Sequence, residues 1–339
     1  MRVLKRAGAI TAAMLLCAAA ARAADFYENK TITIIVGNDA GSGYDSYARV
    51  LSRHMGKYIP GKPAIVVQNM PGAGSIKAAQ HMYFAAPRDG TSIAILFPGA
   101  ILEPLTGDAA KYRYDPTKFE FLGTADSGTR LCGLNASAAV QSFEQARHVK
   151  SLIAATAAGS STWDYAYALN ALAGSRFEVV PGYKGPAEIF LAMERGEADG
   201  FCALDSGTVF TLRPDWLTSQ KVRFILQAGM EPNASLLQRG IPSMWDFIAP
   251  SERPVAELIV SQQVFGRPFV APPETPAAQM RLLRDAFLRA FADLEALEEA
   301  RRMKIDVNPR DGGFVAGLVR KVYASPPDIV ARMARAVRP

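Results

Sequence analysis

An α/β fold in two lobes is predicted for this chain by three observations. Short β-branched or apolar runs end in turn signals, helical patterns separate those runs, and the chain is longer than one hydrophobic core usually supports. Ile32 to Gly37, Ala64 to Gln68 and Ser92 to Phe97 are the first three runs. Their alternation with helices predicts a largely parallel sheet with right-handed connections.

The first element is a leader. Arg2, Lys5 and Arg6 precede an apolar run from Ala7 to Ala21, and Ala21-Arg22-Ala23 is a small-x-small site, so residues 1–23 are expected to be an export signal cleaved after Ala23. An uncleaved anchor is the alternative, but the run falls short of the roughly 20 residues that a membrane span requires. Leu15 and Leu16 ahead of Cys17 argue against lipid attachment there. The expected location is therefore the periplasm, as a freely soluble chain.

Removing the leader changes the charge argument. The whole chain has 38 Lys plus Arg against 32 Asp plus Glu. Arg2, Lys5, Arg6 and Arg22 leave with the leader, and 34 minus 32 is +2 for the mature chain. The basic residues are scattered rather than gathered on one stripe, which speaks against nucleic acid as a partner. Of three cysteines, Cys132 and Cys202 remain as an even pair in an oxidising compartment. A disulfide between them is the expectation, worth about 4 kcal/mol by chain entropy; two buried thiols are the alternative.

After the first run, Gly37-Asn38-Asp39-Ala40-Gly41-Ser42-Gly43-Tyr44-Asp45 forms a glycine-rich loop, and a helix beginning near Tyr44 carries Tyr47, Leu51, His54 or Met55, and Tyr58 on one face. Asp45 lies in its first turn, where a carboxylate suits the helix dipole. A second loop, Asn69-Met70-Pro71-Gly72-Ala73-Gly74-Ser75, opens a helix expected to bury Ile76, Ala79 and Tyr83. Phe119 to Ala125 reads as a strand leading out of this unit. A new unit begins at Leu131, with Ser142 and Gln145 as a capping box and Ser151 to Ala155 as a strand. Gly159-Ser160-Ser161-Thr162 then leads into a helix ending at Gly174, with Trp163, Ala166, Leu169 and Ala173 as its stripe. A strand around Glu178 to Val180, a helix from Ala187 to Glu194 and a strand from Gly200 to Leu204 complete it. Glu257 to Val270 is apolar and returns the chain to the first lobe. Thr275 is read as the cap of a helix with Pro276 at its first position, burying Met280, Leu283, Phe287, Phe291 and Leu294. These readings place one domain at 24–124 plus 265–339 and the other at 125–264.

In open parallel sheets, ligands sit beyond the carboxyl ends of the strands. Three loops there each begin a helix with bare amide groups: Asp39 to Tyr44, Pro71 to Ser75 and Ala158 to Thr162. Gly and Ser open many helices for capping reasons alone. Three such loops in an exported two-lobe chain nonetheless describe a receptor for an anion, clamped in a cleft between the lobes.

The order of motifs carries a resemblance. Gly41-Ser42-Gly43-Tyr44-Asp45 followed by Ala48-Arg49, then Asn69-Met70-Pro71-Gly72-Ala73-Gly74, Asp89-Gly90-Thr91, Gly182-Tyr183-Lys184-Gly185, and Glu194-Arg195-Gly196-Glu197-Ala198-Asp199-Gly200 resemble the Bug or TctC family of periplasmic solute receptors. The similarity covers essentially the whole mature chain, although the last third matches mainly in pattern. It implies a type II periplasmic-binding-protein fold that closes on its ligand, and membrane permease subunits of a tripartite tricarboxylate transporter as partners. It also implies that main-chain amides and bridging waters of the first two loops capture a carboxylate, while the second domain sets specificity. By this resemblance Ala40, Gly41, Ser42, Gly43 and Tyr44 form the first ligand loop, Ala73, Gly74 and Ser75 the second, and Gly159, Ser160, Ser161 and Thr162 the third. Tyr183 and Asp205 fall at the distal end of the site.

The chain departs from the family pattern at Asn38-Asp39, where an uncharged stretch containing proline is common, and at Ser42, where glycine is common. A carboxylate at Asp39 facing an anion would repel it, so Asp39 is expected to turn outward and cap the loop. Ring stacking by Phe97, Tyr44, Trp163 or Tyr183 would suit an aromatic acid, but Phe97 and Trp163 are expected in the core. Lys184 and Arg130 are expected at a solvated surface. Bulky replacements of Ser75 or Thr162 are expected to weaken binding without unfolding the chain.

Chemistry has little support in the residues. His54, His81 and His148 have no metal-ligand spacing, and C-x-x-C, H-E-x-x-H and G-x-S-x-G are all absent. Neither metal nor cofactor is expected. The leading expectation is a monomeric, non-enzymatic receptor for a di-, tri- or aromatic carboxylate. Two rivals are a periplasmic enzyme using Asp39, Asp45 or Asp205 as base on such an acid, and a ligand sensor for a histidine kinase.

Overall fold

The computed structural model describes residues 26–106, 112–156, 160–303 and 305–338. The expected leader, with Cys17 and the cleavage site, lies outside the described residues. In chain order the elements begin with β1 (Thr31–Val36), α1 (Gly43–His54), β2 (Ala64–Asn69), α2 (Ile76–Phe84), β3 (Ser92–Ile95), α3 (Pro98–Thr106) and β4 (Glu120–Thr124). They continue with β5 (Arg130–Asn135), α4 (Phe143–Ala146), β6 (Ser151–Ala154), α5 (Ser161–Ala173), β7 (Phe177–Val180), α6 (Pro186–Glu194), β8 (Gly200–Asp205) and α7 (Ser206–Leu212). The last are β9 (Val222–Ala228), α8 (Ala234–Gln238), α9 (Arg253–Val264), β10 (Pro268–Ala271), α10 (Ala277–Ala292), α11 (Leu294–Arg302), β11 (Arg310–Asp311), α12 (Gly312–Tyr323) and α13 (Pro327–Ala336). No described helix is long and apolar enough to cross a membrane.

Two compact units result. The first is built from residues 26–125 and 266–319, the second from 126–265 and 320–338. In the first, six strands run in the order β11-β4-β10-β3-β1-β2. β1 pairs in parallel with β2 and β3, as the alternating pattern predicts, whereas β10 is antiparallel to both β3 and β4. The sheet is therefore mixed rather than largely parallel, because the returning chain supplies a strand from the opposite direction. Phe269 on β10 meets Phe287 and Phe291 of α10 at 5.3 and 6.3 Å between ring centroids, forming the heart of this core.

The second unit has five strands in the order β7-β6-β8-β5-β9. β6 is parallel to β7 and β8, while β5 is antiparallel to β8 and β9. Cys132 on β5 and Cys202 on β8 are joined by a disulfide, as expected from the even pair, and both are fully buried. Residues 320–338 belong with this unit, where the sequence reading gave 265–339 to the first. The reason is the amphipathic α13, which buries Met333 and Ala336 and packs on α9 and α5.

Several local expectations are corrected. The apolar stretch from Glu257 to Val270 is a helix and a strand rather than one segment: Pro254 opens α9, and the break at Phe265–Gly266 precedes β10. Thr275 does not cap α10; its hydroxyl donates to Pro272 O at 2.8 Å, and Pro276 takes the cap position. Leu294 is 82% exposed because Asp293 caps a new helix and leaves Leu294 in its first turn. Ser75 enters α2 in the left-handed region, which rotates the helix so that Ala78, Ala79 and Met82 are buried instead of Ile76 and Tyr83. Trp163 is only half-buried and packs on Tyr167 at 4.7 Å, while Ala166, Leu169 and Ala173 are in the core.

Candidate functional site

In the first unit the register fixes which loops share an edge. Val36 lies beside Asn69 on one side and Ile95 on the other, so the loops following β1, β2 and β3 leave the carboxyl ends of three adjacent parallel strands. This is where an open α/β sheet presents helix N-termini and backbone donors. Ser42 caps α1, its Oγ accepting from Asp45 N at 3.3 Å. Gly41 takes φ +81°, which glycine adopts without cost, and its amide turns back to Asp45 Oδ2 at 2.8 Å. Asn69 bridges the first two loops, donating to Asn38 O at 3.0 Å and to Asp45 Oδ1 at 3.1 Å.

Asp45, not Asp39, is the carboxylate that ties the first loop together. Its side chain is nearly buried and also receives Arg49 Nε at 2.8 Å. Burial pushes its carboxyl upward, but the bonds from Arg49, Gly41 and Asn69 outweigh that and hold it below the usual carboxylate range. Asp39 is exposed, and only its backbone carbonyl serves the turn, accepting from Ser42 N at 3.2 Å.

The second loop is wound left-handed. Ala73, Gly74 and Ser75 have φ of +46°, +59° and +73°. Two of these residues are not glycine, so the surrounding structure must hold them there. Ser75 shows how: it is buried, its Oγ donates to Gly37 O at 3.0 Å, and it accepts from Phe97 N at 3.0 Å. One hydroxyl thus joins the loops after β1, β2 and β3. Phe97 then packs edge-on against Tyr44 at 4.4 Å, and it is half-buried. The amides of Gly43, Ala73 and Gly74 have no acceptor among the described residues. A Cβ built on Gly43 or Gly74 meets nothing within 4 Å. These donors border open space.

The expected tolerance of Ser75 to bulky replacement is corrected, since its hydroxyl is an interior strut. Gly37 states the same constraint from the other side: an alanine Cβ there would lie 2.4 Å from Ser75 Oγ and 2.6 Å from Ser75 Cβ. Gly37→Ala is expected to cost about 1–3 kcal/mol by overpacking and to displace the second loop from the first. Urea unfolding measures the first effect, and hydrogen exchange at Ala73–Ser75 the second.

In the second unit, Ser160 caps α5 by accepting from Trp163 N at 3.4 Å, and its Oγ lies 2.9 Å from Thr162 Oγ1. Thr162 is buried and accepts from Thr156 N at 3.0 Å, so it too braces its loop. Bulky replacement there would strain the core of the unit. Ser161 is half-buried; Gly159 lies outside the described residues. Tyr183 follows β7, is half-buried, and donates its amide to Ala155 O at 3.3 Å. Asp205 ends β8 and caps α7, accepting from Gly207 N at 3.0 Å and Thr208 N at 3.3 Å. Its other oxygen is 3.4 Å from Arg130 Nη1. Arg130 is therefore a largely buried partner of Asp205 rather than a solvated cation, whereas the Lys184 side chain is 89% exposed. Ser160 to Thr162, Tyr183 and Asp205 all stand at the carboxyl ends of the parallel trio β7-β6-β8.

Among the described residues His54, Asp293 and Glu295 could converge on a cation. Lys57 Nζ already lies there, 2.6 Å from Asp293 and 3.1 Å from Glu295, so a side-chain ammonium supplies the positive charge. Two of the three acids considered as bases have structural work: Asp45 is held by three donors and Asp205 caps a helix.

No protein-family model matches the chain. The UPF0065 protein in the gbd 5' region of Cupriavidus necator is 38% identical over 116 residues, which is 33% of this chain and 34% of that protein. The chain thus matches about a third of that relative's length. The crystal structure of a TctC solute binding protein from Polaromonas superposes with a TM-score of 0.69 at 15% identity, covering 91% of this chain and 99% of that one. MatC from Rhodopseudomonas palustris with bound malate superposes with a TM-score of 0.58 at 20% identity, covering 91% and 99%. The fold of this chain is that of the TctC solute-binding protein.

Proposed function

We propose that this chain is a periplasmic receptor that captures a small di-, tri- or aromatic carboxylate and delivers it to the permease subunits of a tripartite tricarboxylate-type transporter. The observation that carries the reading is the edge shared by the loops after β1, β2 and β3, where the amides of Gly43, Ala73 and Gly74 are left for an anion. Backbone N–H groups and the N-terminal end of a helix stabilise a carboxylate without any titratable side chain. The malate bound in the MatC structure is a small dicarboxylate, which supports that ligand class for this chain. Ala40 to Tyr44 and Ala73 to Ser75 are the proposed carboxylate-holding loops of the first unit, and Ser160 to Thr162, Tyr183 and Asp205 are the proposed ligand residues of the second. No covalent step is proposed, and the ligand leaves unchanged.

The test is a thermal-shift and calorimetric screen of the full mature chain against malate, citrate, adipate and benzoate. A bound acid at 100 times its dissociation constant is expected to add about 2.7 kcal/mol to stability. Mass spectrometry of the released acid is expected to show it unaltered. Stabilisation by none of the four would overturn the reading, and turnover of a bound acid would move the protein to an enzymatic class.

A further inference from the structure

Tyr44, in the first turn of α1, is held by a residue more than 200 positions away. Its hydroxyl donates to Gly266 O at 2.9 Å and accepts from Arg267 Nη1 at 3.0 Å. Arg267 Nη1 also donates to Gly266 O at 2.9 Å, closing a three-membered polar knot. The guanidinium carbon lies 4.3 Å from the centroid of the Tyr44 ring and 5.5 Å from that of Tyr47. One planar cation therefore bonds the hydroxyl and lies over the ring, a combination that a lysine ammonium does not reproduce.

The backbone of Arg267 is fixed as firmly as its side chain. Its amide donates to Thr124 Oγ1 at 3.1 Å, and its carbonyl accepts from Ala125 N at 3.0 Å. Pro268 follows, which keeps the preceding residue extended. Thr124–Ala125 is where the chain leaves the first unit, and Gly266–Arg267 is where it re-enters. From this clasp the contacts run without interruption: Arg267 to Tyr44, Tyr44 to Phe97, Phe97 N to Ser75 Oγ, and Ser75 Oγ to Gly37 O.

We infer that Arg267 is a positioning residue for the carboxylate loops, setting the orientation of the first turn of α1 through Tyr44 without supplying a ligand contact of its own. The inference rests on the receptor reading for its functional consequence, while its structural part stands on the knot alone. Gly43 and Tyr44 open the helix whose amides are offered to the anion, so a looser Tyr44 spreads the donors over more orientations. Binding then bears the cost of ordering them.

Hydrogen exchange and calorimetry on the full mature chain test this with Arg267→Met, Arg267→Lys and Tyr44→Phe. Exchange of the 41–46 segment in the ligand-free protein is expected to rise about tenfold in Arg267→Met and Tyr44→Phe, with the β8 segment unchanged. Arg267→Lys is expected to recover part of the protection, and the double variant Arg267→Met with Tyr44→Phe to be no worse than either single one. The affinity for whichever of malate, citrate, adipate or benzoate the wild type binds is expected to fall about tenfold or more in Arg267→Met. Unchanged exchange at 41–46, or a rise spread evenly through both units, would overturn the positioning role. So would full affinity in Arg267→Met. A wild type that binds none of the four acids discards the receptor reading, and the exchange comparison still decides whether Arg267 orders the loop.

Discussion

Asp164→Asn is expected to flatten the pH dependence of stability between pH 4 and pH 8 and to remove a loss of about 4 kcal/mol over that range. Asp164 lies in the first turn of α5 and is only 6% exposed. Burial pushes its carboxyl up to about 7, overriding the helix N-terminus that would favour the charged form. The sign follows from the direction of the shift. A carboxyl with its folded value above the unfolded value near 4 binds its proton more tightly in the folded state. The stability it contributes is fully present below pH 4 and is lost as the pH rises through about 7. Asparagine keeps the shape and cannot ionise, so the slope disappears. Urea unfolding at a series of pH values reads that slope directly, and equal slopes in the two proteins would refute the assignment. Asp164 is one turn from Ser160 to Thr162, so its ionisation also sets a negative charge close to proposed anion contacts. Carboxylate affinity is expected to fall above pH 7 in the wild type and to hold in the variant.

Much of the fold was legible because its signals are local. Ile32 to Val36 is a β-branched run, Ser42 is a cap followed by an acid in the first turn, and Gly174 ends α5 in the left-handed region. Each of these needs only neighbours in sequence. The pairing of β10 with β3 and β4 needs residues 268–271 to meet 92–95 and 120–124, and nothing in either run encodes direction. The stretch around α9 and β10 is buried on nearly every side, so its hydrophobicity has no period from which to tell helix from strand. Leu294 looked like a continuation of the α10 stripe until Asp293 restarted the helix.

The site divides in the same way. Glycines and hydroxyl caps mark the loops in sequence, since their conformational freedom and short side chains are intrinsic properties. The left-handed turn through Ala73 and Ser75 was hidden, because residues with a Cβ give no warning that they will occupy it. The Ser75 hydroxyl proves to be a strut between loops, which the sequence did not show; Asp39 is exposed, in keeping with its expected outward turn, while the capping expected of it falls to Asp45. Arg130 was expected at a solvated surface and Arg267 lies in no sequence motif; only the folded strands place Arg130 opposite Asp205 and Arg267 beside Tyr44. A charge is informative only with its partner, and these partners are 75 and 223 residues away in the chain.

Replacing Cys132 and Cys202 together by alanine is expected to cost about 4 kcal/mol, with a lower urea midpoint and a steeper unfolding slope. The two residues are 70 apart in sequence, and closing a loop of that length removes many conformations from the unfolded chain. Both cysteines are fully buried on β5 and β8, so alanine also leaves a small void that adds to the loss. The bond lies between the two strands whose carboxyl-end and amino-end residues are Asp205 and Arg130, which the register places side by side. Loosening that pairing is expected to free Asp205 from Arg130 before the unit melts as a whole. Two measurements separate these effects. Reduction of the wild type should reproduce most of the stability loss without the void, and exchange of the Gly207 and Thr208 amides should rise in both reduced and substituted protein. A double variant within about 1 kcal/mol of the wild type would mean that the sheet holds the unfolded ensemble's share of order by itself, and that the bridge is not what stabilises this unit.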